Sequence, residues 1–246
     1  IGDIIHSTPA AVGQPQDGYN IVYSDTTYQA FVDQYINRRN VIYVGGNDGV
    51  LHAFNSGFWD NSQKGFVTDL VDPVNIGLPL GAELWGYVPM NILPHLKWLP
   101  QIDYPHVYYI DAEPLVFDAK IFSNDADHPN GWGTVLVIGM RLGGGAIDLD
   151  INGDNTIGGA NDITTKSAYI VMDITNPEVA PTLMAEITND NLNFTTSRPE
   201  VVTLRQPIAG DFNTGSNKWY LAFGSGPDNL NNVESSQTSR TYLWDL

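Results

Sequence analysis

Short apolar runs recur along the chain, each soon broken by glycine, asparagine, aspartate or proline. The clearest is Asn40-Val41-Ile42-Tyr43-Val44-Gly45, followed by Gly46-Asn47-Asp48-Gly49 and then Val50-Leu51-His52-Ala53-Phe54-Asn55. Two β-rich runs around an Asn-Asp-Gly turn predict a hairpin, because Asn and Gly tolerate the positive φ that such turns demand. The same pattern predicts a second hairpin, with strands at 107–110 and 115–119 around Asp111-Ala112-Glu113-Pro114. Further strands are predicted at 134–139, 219–224 and 242–245. One helix is predicted where Ser24-Asp25-Thr26-Thr27 supplies a cap and Tyr28, Phe31, Val32 and Tyr35 share a face. A shorter one follows Asn91, where Leu93, Leu96 and Leu99 have helical spacing. Segments 56–79 and 123–132 read as loops.

The units share a plan. A strand ends in glycine, a loop follows, and a strand then runs into a small polar turn: His52-Ala53-Phe54-Asn55, Ile170-Val171-Met172-Asp173 and Leu243-Trp244-Asp245. Repetition of a hairpin-like sheet unit favours an all-β fold, a β-propeller of irregular blades with short helical insertions, over a sandwich. At roughly 40–50 residues per blade there is room for about four. Residues 1–246 are therefore read as part of one propeller domain in a larger ring. The first and last residues look like internal segments of a longer polypeptide, so the lack of a leader says nothing about export.

Composition narrows the function. Hydrophobic residues make up 42% of the 246, too many for a disordered chain. No stretch approaches the ~20 apolar residues of a membrane-spanning helix. With 11 Lys+Arg against 28 Asp+Glu, the net charge of −17 opposes nucleic-acid binding and suits cations. Cysteine is absent, which removes disulfides, thiolate zinc sites and cysteine nucleophiles together. The five histidines (His6, His52, His95, His106, His128) show no paired metal spacing, and His52 reads as a packed strand residue. Ser7 has no nucleophile elbow around it. Gly143-Gly144-Gly145 reads as a loop that needs close backbone approach, since no helix follows it. Trp85, Trp98, Trp132, Trp219 and Trp244 read as core.

One segment carries chemistry. Between Asp148 and Asp162, oxygen side chains fall at every second residue and a further acid follows. Calcium takes six to eight hard oxygens from a flexible loop. With Asp150 first, Asn152 is third, Asp154 fifth and Thr156 seventh, the last by its carbonyl; Ile157 takes the apolar eighth place. The closing twelfth residue is Asn161, with Asp162 one place late, and Asn155 holds the sixth position usually given to glycine. Asp148 is either an extra ligand or the strand end. Segment 148–162 is thus read as a Ca2+-loop insertion, against the plainer reading of a solvated acidic turn. Magnesium suits such a loop less.

Several phrases together resemble one family: Gly2-Asp3-Ile4-Ile5-His6-Ser7-Thr8-Pro9, Tyr43-Val44-Gly45-Gly46-Asn47-Asp48-Gly49-Val50-Leu51-His52-Ala53-Phe54 and Glu83-Leu84-Trp85-Gly86-Tyr87-Val88-Pro89. Tyr108-Tyr109-Ile110-Asp111, the Val137 to Gly145 stretch, Phe194-Thr195-Thr196-Ser197-Arg198-Pro199 and Phe223-Gly224-Ser225-Gly226 follow in order. The chain resembles the C-terminal propeller domain of the PilC/PilY family of type IV pilus tip adhesins and biogenesis factors. The resemblance implies a non-enzymatic, secreted calcium-binding propeller, exported through the periplasm to the pilus tip at the cell surface. It implies minor pilins and a host or abiotic surface as partners, with roles in assembly, retraction control and adhesion. It places the family's calcium loop on Asp150, Asn152, Asp154 and Thr156; the family's closing Asp is replaced here by Gly158, leaving Asp162 as the nearest acid. The alternatives are a quinone-cofactor dehydrogenase on a similar propeller, or a plain structural scaffold.

Overall fold

The computed structural model describes residues 2–69, 78–159, 161–204, 217–230 and 235–246. About 34% of the described residues are strand and 12% helix. A first antiparallel sheet holds β1 (Ala10–Val12), β2 (Asn40–Gly45), β3 (Leu51–Asp60), β4 (Gly65–Val67) and β5 (Glu83–Tyr87), in the order β1-β2-β3, with β4 and β5 pairing to different stretches of β3. A second contains β6 (Leu115–Lys120), β7 (Trp132–Gly139), β10 (Tyr169–Asp173) and β11 (Thr182–Ile187) in the order β11-β10-β7-β6. Between β7 and β10 the ribbon β8 (Ile147–Leu149) and β9 (Ile163–Thr165) is inserted. A third sheet is β12 (Glu200–Leu204), β13 (Lys218–Gly224) and β14 (Thr241–Asp245). The described residues thus form three blade-like sheets and one ribbon, against the expected four or so.

The middle sheet explains why blades cannot stand alone. All eight residues of β7 are buried. Alternate side chains face opposite ways in a strand, so Val135 and Val137 join one core while Leu136 and Ile138 join the other. Strand β10 repeats this, with Tyr169 and Val171 on the first side and Ile170 and Met172 on the second. The first core also takes Trp219, Leu221 and Phe223 of the third sheet, and the second takes Val41, Tyr43, Leu51 and Ala53 of the first sheet. A sheet covered on both faces has no polar side to show. That is the meaning of the uninterrupted apolar run at 134–139.

Preceding the hairpin β2–β3 are a short turn of helix, α1 (Tyr19–Val22), and α2 (Thr26–Tyr35). Helix α2 starts as expected: Asp25 caps it, its carboxylate accepting from the backbone N–H of Thr27 (2.8 Å) and Tyr28 (3.1 Å). Tyr28, Phe31 and Tyr35 enter the first core. The segment after Asn91 is a 3-10 helix, Met90–Trp98, rather than an α-helix. Pro94 lies inside it and cannot donate a helical hydrogen bond. With three residues per turn the buried side becomes Ile92 and His95, and Leu93 faces out.

Two strand expectations need correction. Residues 107–110 are not a strand, and β6 pairs with β7 instead. Tyr109 and Ile110 are fully buried, but their N–H groups go to the first hairpin's turn, to Asn47 Oδ1 (3.1 Å) and Gly46 O (3.4 Å). An apolar run can satisfy its backbone on a turn as well as on a ladder. Segment 56–79 is not all loop: β3 runs on to Asp60 and turns into β4. Asp60 closes that turn by accepting from Ser62 N (2.6 Å) and Gln63 N (3.2 Å). Residues 70–77 lie outside the described part. Segment 123–132 is irregular apart from a 3-10 turn at Pro129–Gly131, and Trp132 already belongs to β7.

A polar network threads the first core. Buried Asp118 accepts from Tyr28 Oη (2.6 Å) and Thr134 Oγ1 (2.7 Å), and Thr134 Oγ1 in turn accepts from Arg38 Nη1 (2.8 Å). Arg38 also donates to Thr175 O (3.2 Å) and, through Nε (2.7 Å) and Nη2, to Gly13 O. At its edge Asp17 accepts from the Asp118 N–H (2.6 Å). Although the residue is exposed as a whole, its inward-turned carboxyl loses water and faces the Asp118 charge, which outweigh that hydrogen bond and push its pKa up to about 6. A carboxyl raised above its ordinary 3.8 holds its proton longer in the folded state, so its stabilising share is lost as pH climbs through that window. Asp17→Asn is therefore expected to raise the melting temperature at pH 7.5. The gain should shrink as pH falls from 6 towards 3.8, which melting curves across this range would read.

Candidate metal centre

The ribbon β8–β9 carries the acidic segment at its tip. Cross-strand pairing of Ile147 with Thr165 and Leu149 with Ile163 holds the two ends of the loop together. Within it the backbone wraps around side-chain oxygens. Asp150 accepts two N–H groups, from Gly153 through Oδ1 (2.7 Å) and from Asn155 through Oδ2 (2.7 Å). Asn152 Oδ1 accepts from Asp154 N (2.9 Å), and Asp154 Oδ1 from Thr156 N (2.7 Å). The Asn152 amide donates to Asp154 Oδ2 at 3.0 Å. These are successive Asx turns, each supplied by the alternation of Asp and Asn. Asn155 adopts φ 63, the left-handed backbone that the sixth position requires.

The candidate ligands separate into two groups. Asp150, Asn152, Asp154 and Thr156 share the wrapped segment, with Asp150 half-buried at its base and the other three exposed to solvent. Asp162 returns to it from the start of β9: its Oδ2 accepts from Gly159 N (2.8 Å). A Cβ placed on Gly159 would lie 3.4 Å from Asp162 Oδ2 and 4.0 Å from Asn152 Nδ2, so the two side chains flank this glycine. Asp162 Oδ1 is buried without a hydrogen-bond partner. A shielded carboxylate oxygen without a donor is costly unless a cation or water meets it. Asp148 points to other duties, since Thr164 Oγ1 donates to its Oδ1 across the ribbon (2.6 Å). Ile151 and Ile157 are both exposed. Among the described residues no three His, Asp or Glu side chains converge on one point. The loop's donors are mixed carboxylate, amide and carbonyl oxygens, the set that a hard cation of flexible coordination accepts.

Other expected residues fall out as follows. His52 is not merely packed: its ring lies 2.7 Å from Glu83 Oε1 and 3.1 Å from Asp48 Oδ2. Trp132 and Trp219 are core, as expected, whereas Trp244 is substantially exposed. The resemblance-carrying phrases also converge. Buried Asp111 lies 2.7 Å from His6 Nδ1 and 3.2 Å from Arg141 Nη1, and Arg141 N donates to Thr195 Oγ1 (2.9 Å). The spacing of these phrases gave no sign of that meeting. Nor did sequence patterning single out Trp59, which lies in the segment read as loop.

Comparison with known proteins places this architecture. Residues 1–232 match the family model described as the PilY1 beta-propeller domain. A type IV pilus biogenesis factor PilY1 homolog of Xylella fastidiosa is 31% identical over 164 residues, covering 64% of this chain and 11% of the relative. The type IV pilus biogenesis factor PilY1 of Pseudomonas aeruginosa is 26% identical over 236 residues, covering 92% of this chain and 15% of the relative. The chain thus spans a small fraction of the length of these relatives. The crystal structure of the Pseudomonas aeruginosa PilY1 C-terminal domain superposes with a TM-score of 0.55 at 20% identity, covering 96% of this chain and 34% of that one. The shared sheets, and a family match running through nearly every one of them, lead to one assignment: the chain belongs to the PilY1 beta-propeller domain family.

Proposed function

We propose that this domain is a non-enzymatic, calcium-binding propeller of a protein at the type IV pilus tip, exported to the cell surface, where it supports pilus assembly, retraction control and attachment. Minor pilins are its neighbours in this reading, and a host or abiotic surface its target. Family membership and the pilus biogenesis factors among its relatives support the setting. Among the described residues no helix is long and apolar enough to cross a membrane, which is compatible with display on the pilus.

The observation that carries the calcium part is the wrapped loop. Asp150, Asn152 and Asp154 each turn an oxygen towards the backbone that follows, and Asp162 closes the segment with a buried oxygen that lacks a donor. Asp150, Asn152 and Asp154 would hold the ion through their side chains, Thr156 through its carbonyl, and Asp162 as the closing acid, with Asp148 at most peripheral. Calcium would compensate the charge of the loop's carboxylates and, by drawing their oxygens together, order the loop on its ribbon. An ion that binds one state of such a loop better than another shifts its population, which is how occupancy would be felt beyond it.

Calorimetric titration with calcium tests this directly. The expected result is one site, with Kd of about 10⁻⁴ to 10⁻³ M as in extracellular modules. At about a hundred-fold excess over Kd, binding should add about 2.7 kcal/mol to stability. Asp150→Ala combined with Asp154→Ala should remove both the heat and the calcium-dependent rise in melting temperature. Melting indifferent to calcium, chelator and substitutions alike would reduce the loop to a solvated turn. Turnover with a quinone cofactor and a dye acceptor would make the domain an enzyme instead.

A further inference from the structure

A groove of about 410 Å3 opens beside the β3–β4 turn, and no residue of the ribbon or its acidic tip lines it. Its aromatic wall is Trp59 and Phe66, 47% and 46% exposed, with ring centroids 5.3 Å apart in an edge-to-face arrangement. Trp59 is held rather than loose: its indole N–H donates to Asn61 Oδ1 (3.1 Å). Exposed aromatics in a groove are costly to hydrate and are kept where a ligand covers them.

Carboxamides line the same groove. Gln14, Gln16 and Asn37 line the groove, are exposed, and have no hydrogen-bond partner among the described residues. Gln14 and Gln16 flank Pro15, which is buried. The segment is fixed from below, because Arg38 donates to the Gly13 carbonyl through both Nε and Nη2. Arg38 directs its Nη1 at Thr134 and Thr175, so four of its five guanidinium N–H groups are committed within the fold. The groove is therefore preorganised, with ready-made donors and acceptors and no uncommitted charge.

The charge is informative by contrast. The chain has 28 carboxylate side chains and a net charge of −17, yet no Asp or Glu lines this groove. A cation site would recruit them. An anion site would need a free Arg or Lys, and the lining offers only the committed Arg38. Carboxamides each present a donor and an acceptor in one plane, which matches the paired hydroxyls of a sugar ring. The apolar C–H face of the same ring suits an indole, whose body is apolar and whose face is electron-rich.

We propose that this groove is a carbohydrate-binding site for a neutral hexose-type glycan terminus, stacked on Trp59 and hydrogen-bonded by Gln14, Gln16 and Asn37. The assignment stands apart from the calcium reading, since it uses none of the loop's residues. The probe set is glucose, galactose, mannose, N-acetylglucosamine and their common disaccharides, offered to the intact domain at millimolar concentration in saturation-transfer NMR. At least one neutral sugar should receive saturation, strongest on ring C–H protons of one face. Trp59→Ala should weaken it about ten-fold, and Gln14→Ala with Asn37→Ala should abolish it. These residues are exposed, and an unchanged melting temperature for each variant confirms that the fold is intact. Ile102→Ala, at a fully exposed position outside the groove lining, should leave the sugar signal unchanged. No saturation for any sugar in the set would overturn the proposal. So would sugar binding that survives Trp59→Ala, binding confined to anionic sugars, or saturation of N-acetyl-tryptophanamide without any sugar.

Discussion

Replacing Arg38 with alanine is expected to cost about 3–5 kcal/mol, the penalty for breaking a buried charged network from one side. Arg38 is the cation nearest Asp118 through Thr134, and its fork serves three acceptors on three segments: Gly13 O, Thr134 Oγ1 and Thr175 O. Alanine leaves Asp118 with its two hydroxyl donors, Tyr28 and Thr134, but without the compensating charge, and leaves two carbonyls short of a donor. Burial by itself disfavours the guanidinium charge, and the Asp118 charge works against that. Arg38→Lys should recover less than half of the loss, because one ammonium cannot span a fork of this geometry. Urea denaturation reads the effect as a drop in midpoint at unchanged slope. A change under about 1 kcal/mol for Arg38→Ala would show that water replaces the side chain, and that the network is wet rather than dry.

Gly143→Ala is the second large effect, expected at about 2–4 kcal/mol by overpacking against backbone that cannot yield. A Cβ on Gly143 would be driven into the Tyr109 carbonyl oxygen, and would stand 2.7 Å from the Tyr109 carbonyl carbon and 2.8 Å from Tyr108 O. Tyr109 and Ile110 are themselves buried and tied to the turn of the first hairpin. The collision therefore passes to Asn47 and Gly46 rather than being relieved at the surface. Gly145→Ala makes the control within the same run, since its Cβ would meet only Phe194, at 3.7 Å. Melting temperatures of the two variants should differ widely. Equal losses would mean that residues 143–145 act through chain flexibility and not through close approach.

Much of the architecture was legible because burial leaves a periodic trace. Alternation over 40–45 and 51–55, the glycine-asparagine turn between them, and the continuous apolar run at 134–139 each follow from where a strand's two faces look. The cap at Asp25 and the aromatic face of α2 follow from the unsatisfied N–H groups of a helix start and from its 3.6-residue period. The close approach at Gly143 was likewise readable, because a glycine run without a helix behind it has few other uses. At 107–110 the local pattern met a competing partner, and the helix expected after Asn91 is present but wound as a 3-10 helix. Tyr109 gives its N–H to Asn47, 62 positions earlier in the chain, and Pro94 removes a helical donor.

Local pattern accounts for the all-β repeat, its turns, the capped helix with an aromatic face, and the alternation of oxygens from Asp150 to Thr156. Those are local matters, set by propensity, period and the reach of one side chain to its neighbours. That Arg38 and Asp118 share a buried network, and that His6, Asp111, Arg141 and Thr195 meet, is visible in the folded arrangement alone. The same arrangement set Asp162 and Asn152 around Gly159 and lined one groove with Trp59, Gln14 and Asn37. Hydrogen bonds and van der Waals contacts act over a few ångströms of space, whatever the number of residues between the partners, and sequence spacing holds no record of that distance.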